Sequence, residues 1–210
     1  MASTQLDLGN LRENVLKQLF IVSGESGSGK TTLSYAIARR LCVPVVSVGD
    51  VILEAVRRQG FAPRSRPEAG RLFLNAFGER ALGPLLLDRL RALDRVVLDG
   101  LRLPQAHGHL AAWSASVFQI HLDVSSELRE RRLTLRGSWI DRDNPADAFA
   151  RDMRRRADLV ICDRTLKRGG GPPYFPDSIP DPVFHWRPGQ IVHRPRLLEP
   201  AAFGQAGHSH

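Results

Sequence analysis

The sequence predicts a three-layer α/β/α domain built on a five-stranded parallel sheet, and three observations carry that prediction. Short, continuously apolar runs alternate with stretches of helical periodicity, as strands buried on both faces require. One of these runs leads directly into a glycine-rich segment that opens a helix. Another ends in a carboxylate. At 210 residues, 42% of them hydrophobic and 25% charged, the chain is long enough to bury a sizeable core in one domain.

The elements follow in order. Residues 19–23 form the first strand, ending at Gly24, and residues 31–41 carry helical spacing. Residues 43–48 are apolar and β-branched, a second strand, with an amphipathic stretch over 51–58. A longer helical region follows Pro67, breaks near Gly78 and resumes as far as Leu93. Residues 95–98 give the third strand and 117–124 the fourth. Ser125 is placed to cap a helix that runs to Arg136. Pro145 opens another helix ending near Arg156, and residues 159–162 are the fifth strand.

Beyond Arg164 the composition changes. Gly169, Gly170, Gly171, Pro172 and Pro173 interrupt any regular element, and the remainder is rich in proline. Tyr174, Phe175, Phe184 and Trp186 make this tail more than a solvated linker. The expected division is a main domain over residues 1–165 and a Pro/Gly-rich basic extension over 166–210, ordered in part as strand or loop.

The formal charge of +8 favours anionic partners such as nucleotides, nucleic acid or phosphorylated metabolites. Nearly all of it is arginine, the lysines being Lys17, Lys30 and Lys167. No run of 18 apolar residues is present, so no membrane helix is expected, and residues 1–17 lack the apolar core of a signal peptide. Cys42 and Cys162 sit in apolar segments and read as buried free thiols, which points to a cytoplasmic protein. His107 and His109 read as part of a turn, and His208 and His210 end the chain; neither pair makes the three- or four-ligand set a metal needs.

The chemistry lies in Gly24-Glu25-Ser26-Gly27-Ser28-Gly29-Lys30-Thr31, which fits the phosphate-loop pattern G-x-x-x-x-G-K-[ST] between a strand and a helix. Its glycines let successive backbone N–H groups curl around phosphate oxygens, and the helix N-terminus adds a favourable dipole. ATP is the expected ligand, held by Gly24, Ser26, Gly27, Ser28, Gly29, Lys30, Thr31 and Thr32. Lys30 bridges the β- and γ-phosphates, and the Thr31 hydroxyl ligates Mg²⁺. Glu25 faces either solvent or the acceptor.

Asp99, at the end of the third strand, is the second expected magnesium residue. Arg102 follows three residues later at the same sheet edge, where ligands of open α/β sheets bind. Gly49 and Asp50 end the second strand on that edge. Arg129, Arg132 and Arg136 share one helix face, with Arg142 just beyond, and can neutralise charge on a transferred phosphoryl group.

Together these residues resemble the adenylate-kinase-like nucleotide kinases, especially the small prokaryotic kinases related to adenylate and dephospho-CoA kinases. The likeness spans most of residues 19–165. It rests on residues 24–31, on 47–52 (Ser-Val-Gly-Asp-Val-Ile) and on 96–102 (Val-Val-Leu-Asp-Gly-Leu-Arg). It continues through 133–137 (Leu-Thr-Leu-Arg-Gly), 147–152 (Asp-Ala-Phe-Ala-Arg-Asp) and 157–162 (Ala-Asp-Leu-Val-Ile-Cys). The resemblance implies a P-loop NTPase fold with ATP on the loop, an acceptor held after the second strand, and an arginine-bearing lid. It assigns Asp50 and Arg102 to the acceptor side, and Arg132 and Arg136 to the lid.

Two departures matter. In adenylate kinases an arginine follows the Gly-Asp pair by three residues; here that position is Leu53, and Arg57, one turn further, is the substitute. Residues 140–147 are also too few for a large folded lid. The expected activity is Mg·ATP-dependent phosphotransfer to a nucleotide-like small molecule, a nucleoside or deoxynucleoside monophosphate. Lys30, Asp50, Asp99, Arg132 and Arg136 are the catalytic set, and Asp50, Arg57 and Arg102 the acceptor set. A monophosphate is already a nucleophile, whereas a hydroxyl acceptor needs a base, for which Asp50 is the candidate. The alternatives are a kinase of nucleic acid, at a strand end or modified base, and a P-loop ATPase or switch without a small acceptor.

Overall fold

The structure is a computed structural model, and it describes residues 16–137, 145–162 and 196–197. Five strands form the expected all-parallel sheet: β1 (Gln18–Gly24), β2 (Val45–Ser47), β3 (Arg95–Asp99), β4 (Val117–Asp123) and β5 (Leu159–Cys162). Their spatial order is β2-β3-β1-β4-β5, so β1 lies centrally with β3 and β4 on either side. A sixth, two-residue strand, β6 (Arg196–Leu197), pairs in parallel with β5 at the edge. The tail is expected to be ordered in part as strand or loop, and these two residues extend the sheet at its edge. The rest of the tail, the residues before Leu16 and Arg142 lie outside the described residues.

Side-chain alternation along the strands divides the core in two. Phe20, Val22, Val97, Phe118, Ile120 and Leu122 face one layer, packing on Leu33, Ile37 and Ala38 of α1 (Lys30–Leu41). Leu128 of α6 (Ser126–Leu135) joins that layer. Leu19, Ile21, Val96 and Leu98 face the other. That side is covered by α2 (Val48–Arg58), α3 (Arg66–Phe77), α4 (Leu82–Leu90), α5 (Pro104–Ala112) and α7 (Ala150–Arg156). A short 3-10 turn over Glu79–Ala81 follows Gly78, whose φ of 73° ends α3. Among the described residues no helix is long and apolar enough to cross a membrane.

Four local expectations are corrected. Val48 reads as strand because it is β-branched, but β2 stops at Ser47, whose hydroxyl accepts from the Asp50 N–H and so caps α2. Asp50 thus lies in the first turn of a helix. His107 and His109 lie on α5, not in a turn, because Ala106 and Leu110 anchor that helix in the core. Cys42 is exposed, as the left-handed residue (φ 52°) that ends α1. Ser125 holds the N-cap position of α6 without a side-chain cap bond; its carbonyl accepts from Arg129 N–H instead.

Candidate functional site

The P-loop is positioned by β1 and α1, which present its backbone at the C-terminal edge of the sheet. Gly24 needs its missing Cβ: a side chain there would lie 2.6 Å from the Leu122 carbonyl, at a φ of 139°. Lys30 is only 8% exposed, and its Nζ donates to the Glu25 carbonyl at 2.5 Å. Burial holds this ammonium well below the usual lysine range. The neighbouring guanidiniums of Arg102 and Arg129 add to that depression, against the pull of Asp147 and Asp99. The loop therefore presents concentrated positive charge that a polyanion would relieve.

Asp99, at 5% exposure, is fixed from two sides by α1. Thr31 Oγ1 donates to its Oδ2 at 2.8 Å and Ser34 Oγ to its Oδ1 at 3.0 Å. Thr31 and Asp99 were expected together from sequence; Ser34 was not. Its signal is the three-residue spacing from Thr31, which turns both hydroxyls to one helix face.

A cavity of about 570 Å³ joins the loop to the helical layer over β3. Ser26, Gly27, Lys30, Thr31 and Asp99 line its phosphate-loop part, and Leu133 and Gly137 bring in the end of α6. The other part is apolar, with Val48, Ile52, Phe73, Leu74, Leu82 and Leu103, and carries two cations, Arg66 and Arg102. Its size and mixed lining suit a small ligand. Arg102 Nη1 is held at 2.9 Å by Asp147 Oδ1, in a pair whose side chains are 23% and 16% exposed.

The structure thus brings Ser26, Gly27, Lys30, Thr31, Asp99 and Arg102 to one cavity. Asp50 and Arg57 do not line it; both lie on a separate surface groove with Leu53, Glu54 and Arg58. The reason is the early start of α2, which turns the Asp50 carboxylate toward Arg66 Nη2 at 2.6 Å. Arg66, like Ser34, is missed by sequence reading. It opens α3 behind the capping hydroxyl of Ser65, and its Cδ lies 3.3 Å from where a Cβ on Gly49 would be.

Thr32 is exposed on α1, and Arg136 is exposed at the C-cap of α6; neither lines the cavity. Arg132 Nη1 donates to the carbonyls of Ser28 at 2.9 Å and Gly27 at 3.5 Å, so it is bound to the back of the phosphate loop. Glu25 is partly exposed, and its Oε2 meets Arg129 Nη2 at 2.9 Å.

A family model described as an AAA domain, AAA_17, matches residues 23–148, from the end of β1 to the turn before α7. A UPF0200 protein of Pyrobaculum aerophilum is 32% identical over 154 residues, 69% of this chain and 86% of that protein. A cytidylate kinase of Pyrobaculum neutrophilum is 32% identical over 148 residues, covering 66% and 68% respectively. The cytidylate kinase of Pyrobaculum arsenaticum is 35% identical over 157 residues, covering 70% and 76%. The matched residues contain the whole phosphate loop, Asp99 and Arg102, and on that ground the chain belongs to the AAA_17 family of P-loop kinase domains.

Proposed function

We infer that this kinase transfers the γ-phosphate of ATP to a nucleoside monophosphate, with a pyrimidine nucleotide favoured by the similarity to cytidylate kinases. The observation that carries the reading is the continuity of the cavity. It runs from Lys30 and Asp99 to an apolar part that holds two arginines, so a triphosphate and a second anion fit end to end. The flat, weakly polar face of a base suits Val48, Ile52, Phe73, Leu74, Leu82 and Leu103.

The residues act by positioning and charge. Lys30 neutralises the phosphates of ATP, which restores the proton affinity that burial removes. Arg66 and Arg102 hold the acceptor phosphate, and Asp50 and Asp147 orient them. The acceptor oxygen is already ionised, so no side chain has to remove a proton from it. The Thr31 hydroxyl and Asp99 carboxylate are hard oxygen donors 2.8 Å apart at the loop, a donor set that fits magnesium. When bound there, magnesium would neutralise charge on the β- and γ-phosphates. The main domain is proposed to end near residue 165, with β6 of the extension added to its edge.

The test is an ADP-release assay with Mg·ATP and a panel of ribo- and deoxynucleoside monophosphates, dephospho-CoA, nucleosides and oligonucleotides, beside Lys30→Ala. Turnover that depends on a monophosphate and vanishes in Lys30→Ala is the expected result. Turnover with nucleosides or oligonucleotides instead, or hydrolysis indifferent to any acceptor, would overturn the reading.

A further inference from the structure

Glu25 places a carboxylate inside a loop that grips a polyanion, and the structure gives it one charged partner. Arg129 Nη2 lies 2.9 Å from Glu25 Oε2, with the two side chains 17% and 33% exposed. The same guanidinium donates from Nη1 to the Ser26 carbonyl at 3.3 Å and from Nε to the Val124 carbonyl at 3.2 Å. All three of its nitrogens therefore have protein acceptors, and two of these acceptors belong to the phosphate loop.

Packing holds the arrangement in place. A Cβ on Gly27 would meet the Arg129 carbonyl at 2.8 Å and Leu133 Cγ at 3.0 Å, so α6 lies directly on the loop at that glycine. Arg129 is also close enough to Lys30 to act on its charge. An arginine on this helix face reads from sequence as a phosphate ligand, yet its fork points at the loop's own carboxylate and carbonyl.

We propose that Arg129 is a positioning residue that cancels the charge of Glu25 and ties α6 to the phosphate loop, without itself contacting the nucleotide. An unpaired Glu25 would repel the phosphates of ATP, and partial burial would keep that repulsion from being fully screened. The inference rests on the reading of the loop as an ATP site.

The experiment measures dissociation constants of the full chain for a non-hydrolysable Mg·ATP analogue and for adenosine. The variants are Arg129→Met, Glu25→Gln and the double variant; methionine keeps an unbranched apolar stem. Arg129→Met is expected to weaken analogue binding by roughly tenfold, as an uncancelled charge near the phosphates implies. Adenosine binding stays unchanged, and raising the salt concentration shrinks the defect. The double variant recovers to within about threefold of the unmodified chain, because removing the second charge removes the repulsion. Arg129→Lys, which keeps the charge at shorter reach, is the second variant should Arg129→Met not fold, and it is expected to fall between the two.

Failure of Glu25→Gln to rescue Arg129→Met would overturn the proposal, since a direct phosphate contact or a purely structural role predicts an equal loss in the double variant. Unchanged binding in both Arg129→Met and Arg129→Lys would overturn it too. An unmodified chain that does not bind the analogue would instead sink the ATP reading beneath it, so the two failures are distinguishable.

Discussion

Thr31 Oγ1 donates to Asp99 Oδ2 across 2.8 Å, and this bond joins the first helix to the end of the third strand at the mouth of the phosphate loop. Ser34 Oγ, fully buried one turn further on, takes the other carboxylate oxygen at 3.0 Å. The carboxylate is thus oriented before any ligand arrives, which is what pre-organised charge stabilisation requires.

From this follows a graded prediction. Asp99→Asn removes the anion and is expected to lower kcat by about a hundredfold. Ser34→Ala leaves the anion but frees one oxygen, so it should cost about 1 kcal/mol of orientation, roughly fivefold in activity. Steady-state kinetics with varied magnesium check both. Ser34→Ala should raise the magnesium concentration needed for half-maximal rate, an effect a purely structural loss would not produce.

Arg66 and Asp50 are joined at 2.6 Å although both side chains are more than half exposed, 56% and 55%. The exposed pair contributes little to stability. In the proposed function its value lies in holding Arg66, which lines the cavity beside Gly49. Arg66→Met is expected to raise the acceptor KM by about tenfold or more, the loss of one charged hydrogen bond, with the ATP KM unchanged. Asp50→Asn should give a smaller rise of the same kind and leave kcat within about threefold, because a mis-aimed arginine still binds. A collapse of kcat in Asp50→Asn would instead mark Asp50 as a base acting on a hydroxyl acceptor.

Reading the sequence captured what is local and missed what is folded together. The loop at residues 24–31 and the carboxylate at Asp99 are legible because strand, glycine spacing and helix start lie in one short stretch. The five strands are legible because both their faces are buried, which leaves continuous apolar runs. Helix α5 is not, because Pro104 and Gly108 punctuate a nine-residue element that buries only Ala106 and Leu110. Arg66 is not, because it meets Asp50 across 16 residues and two helix starts, beyond any periodicity. The same early start of α2 that turns Asp50 away from the loop is hidden by the β-branched Val48.

Acid should loosen the fold through two histidines, one buried and one half-buried. Burial depresses His121 to about 4, with Lys30 and Arg154 adding to the effect and Asp123 opposing it. His121 Nδ1 lies 3.0 Å from Ser23 Oγ, just before the phosphate loop, where Gln119 Nε2 also donates to that hydroxyl. Burial likewise depresses His107 to about 4, helped by Arg156. Both groups bind protons more readily unfolded, so their contribution is whole above about 6.5 and declines as pH falls toward about 4. Asp158 works the other way: burial raises its carboxyl, so its contribution is greatest at low pH and declines as pH rises through its folded value. Unfolding free energies from urea titrations between pH 7.5 and 4.5 should fall with a slope of up to about 1.4 kcal/mol per pH unit for each histidine. A flat profile in this range would contradict depressed proton affinity at both rings.

Lys30 offers the sharpest separation of stability from function. In the nucleotide-free chain its ammonium is buried, and desolvation is the first cause of its depressed proton affinity. Keeping it charged at neutral pH therefore costs folding free energy, and that cost declines as pH rises toward the ordinary lysine value. Its acceptor, the Glu25 carbonyl, also receives the Ser28 N–H at 3.3 Å, so removing the ammonium leaves that oxygen partnered. Lys30→Met preserves the stem and deletes the charge. The variant is expected to unfold at the same temperature as the unmodified chain or a few degrees above it, since about 1 kcal/mol shifts a chain of this size by roughly 2–4 °C. ATP-dependent turnover should disappear, and saturating Mg·ATP should no longer raise the unfolding temperature of the variant while still raising that of the unmodified chain. Thermal melts with and without Mg·ATP measure all of this in one series. A variant markedly less stable without nucleotide would show that Lys30 holds the loop together, rather than waiting in it, at a cost, for a phosphate.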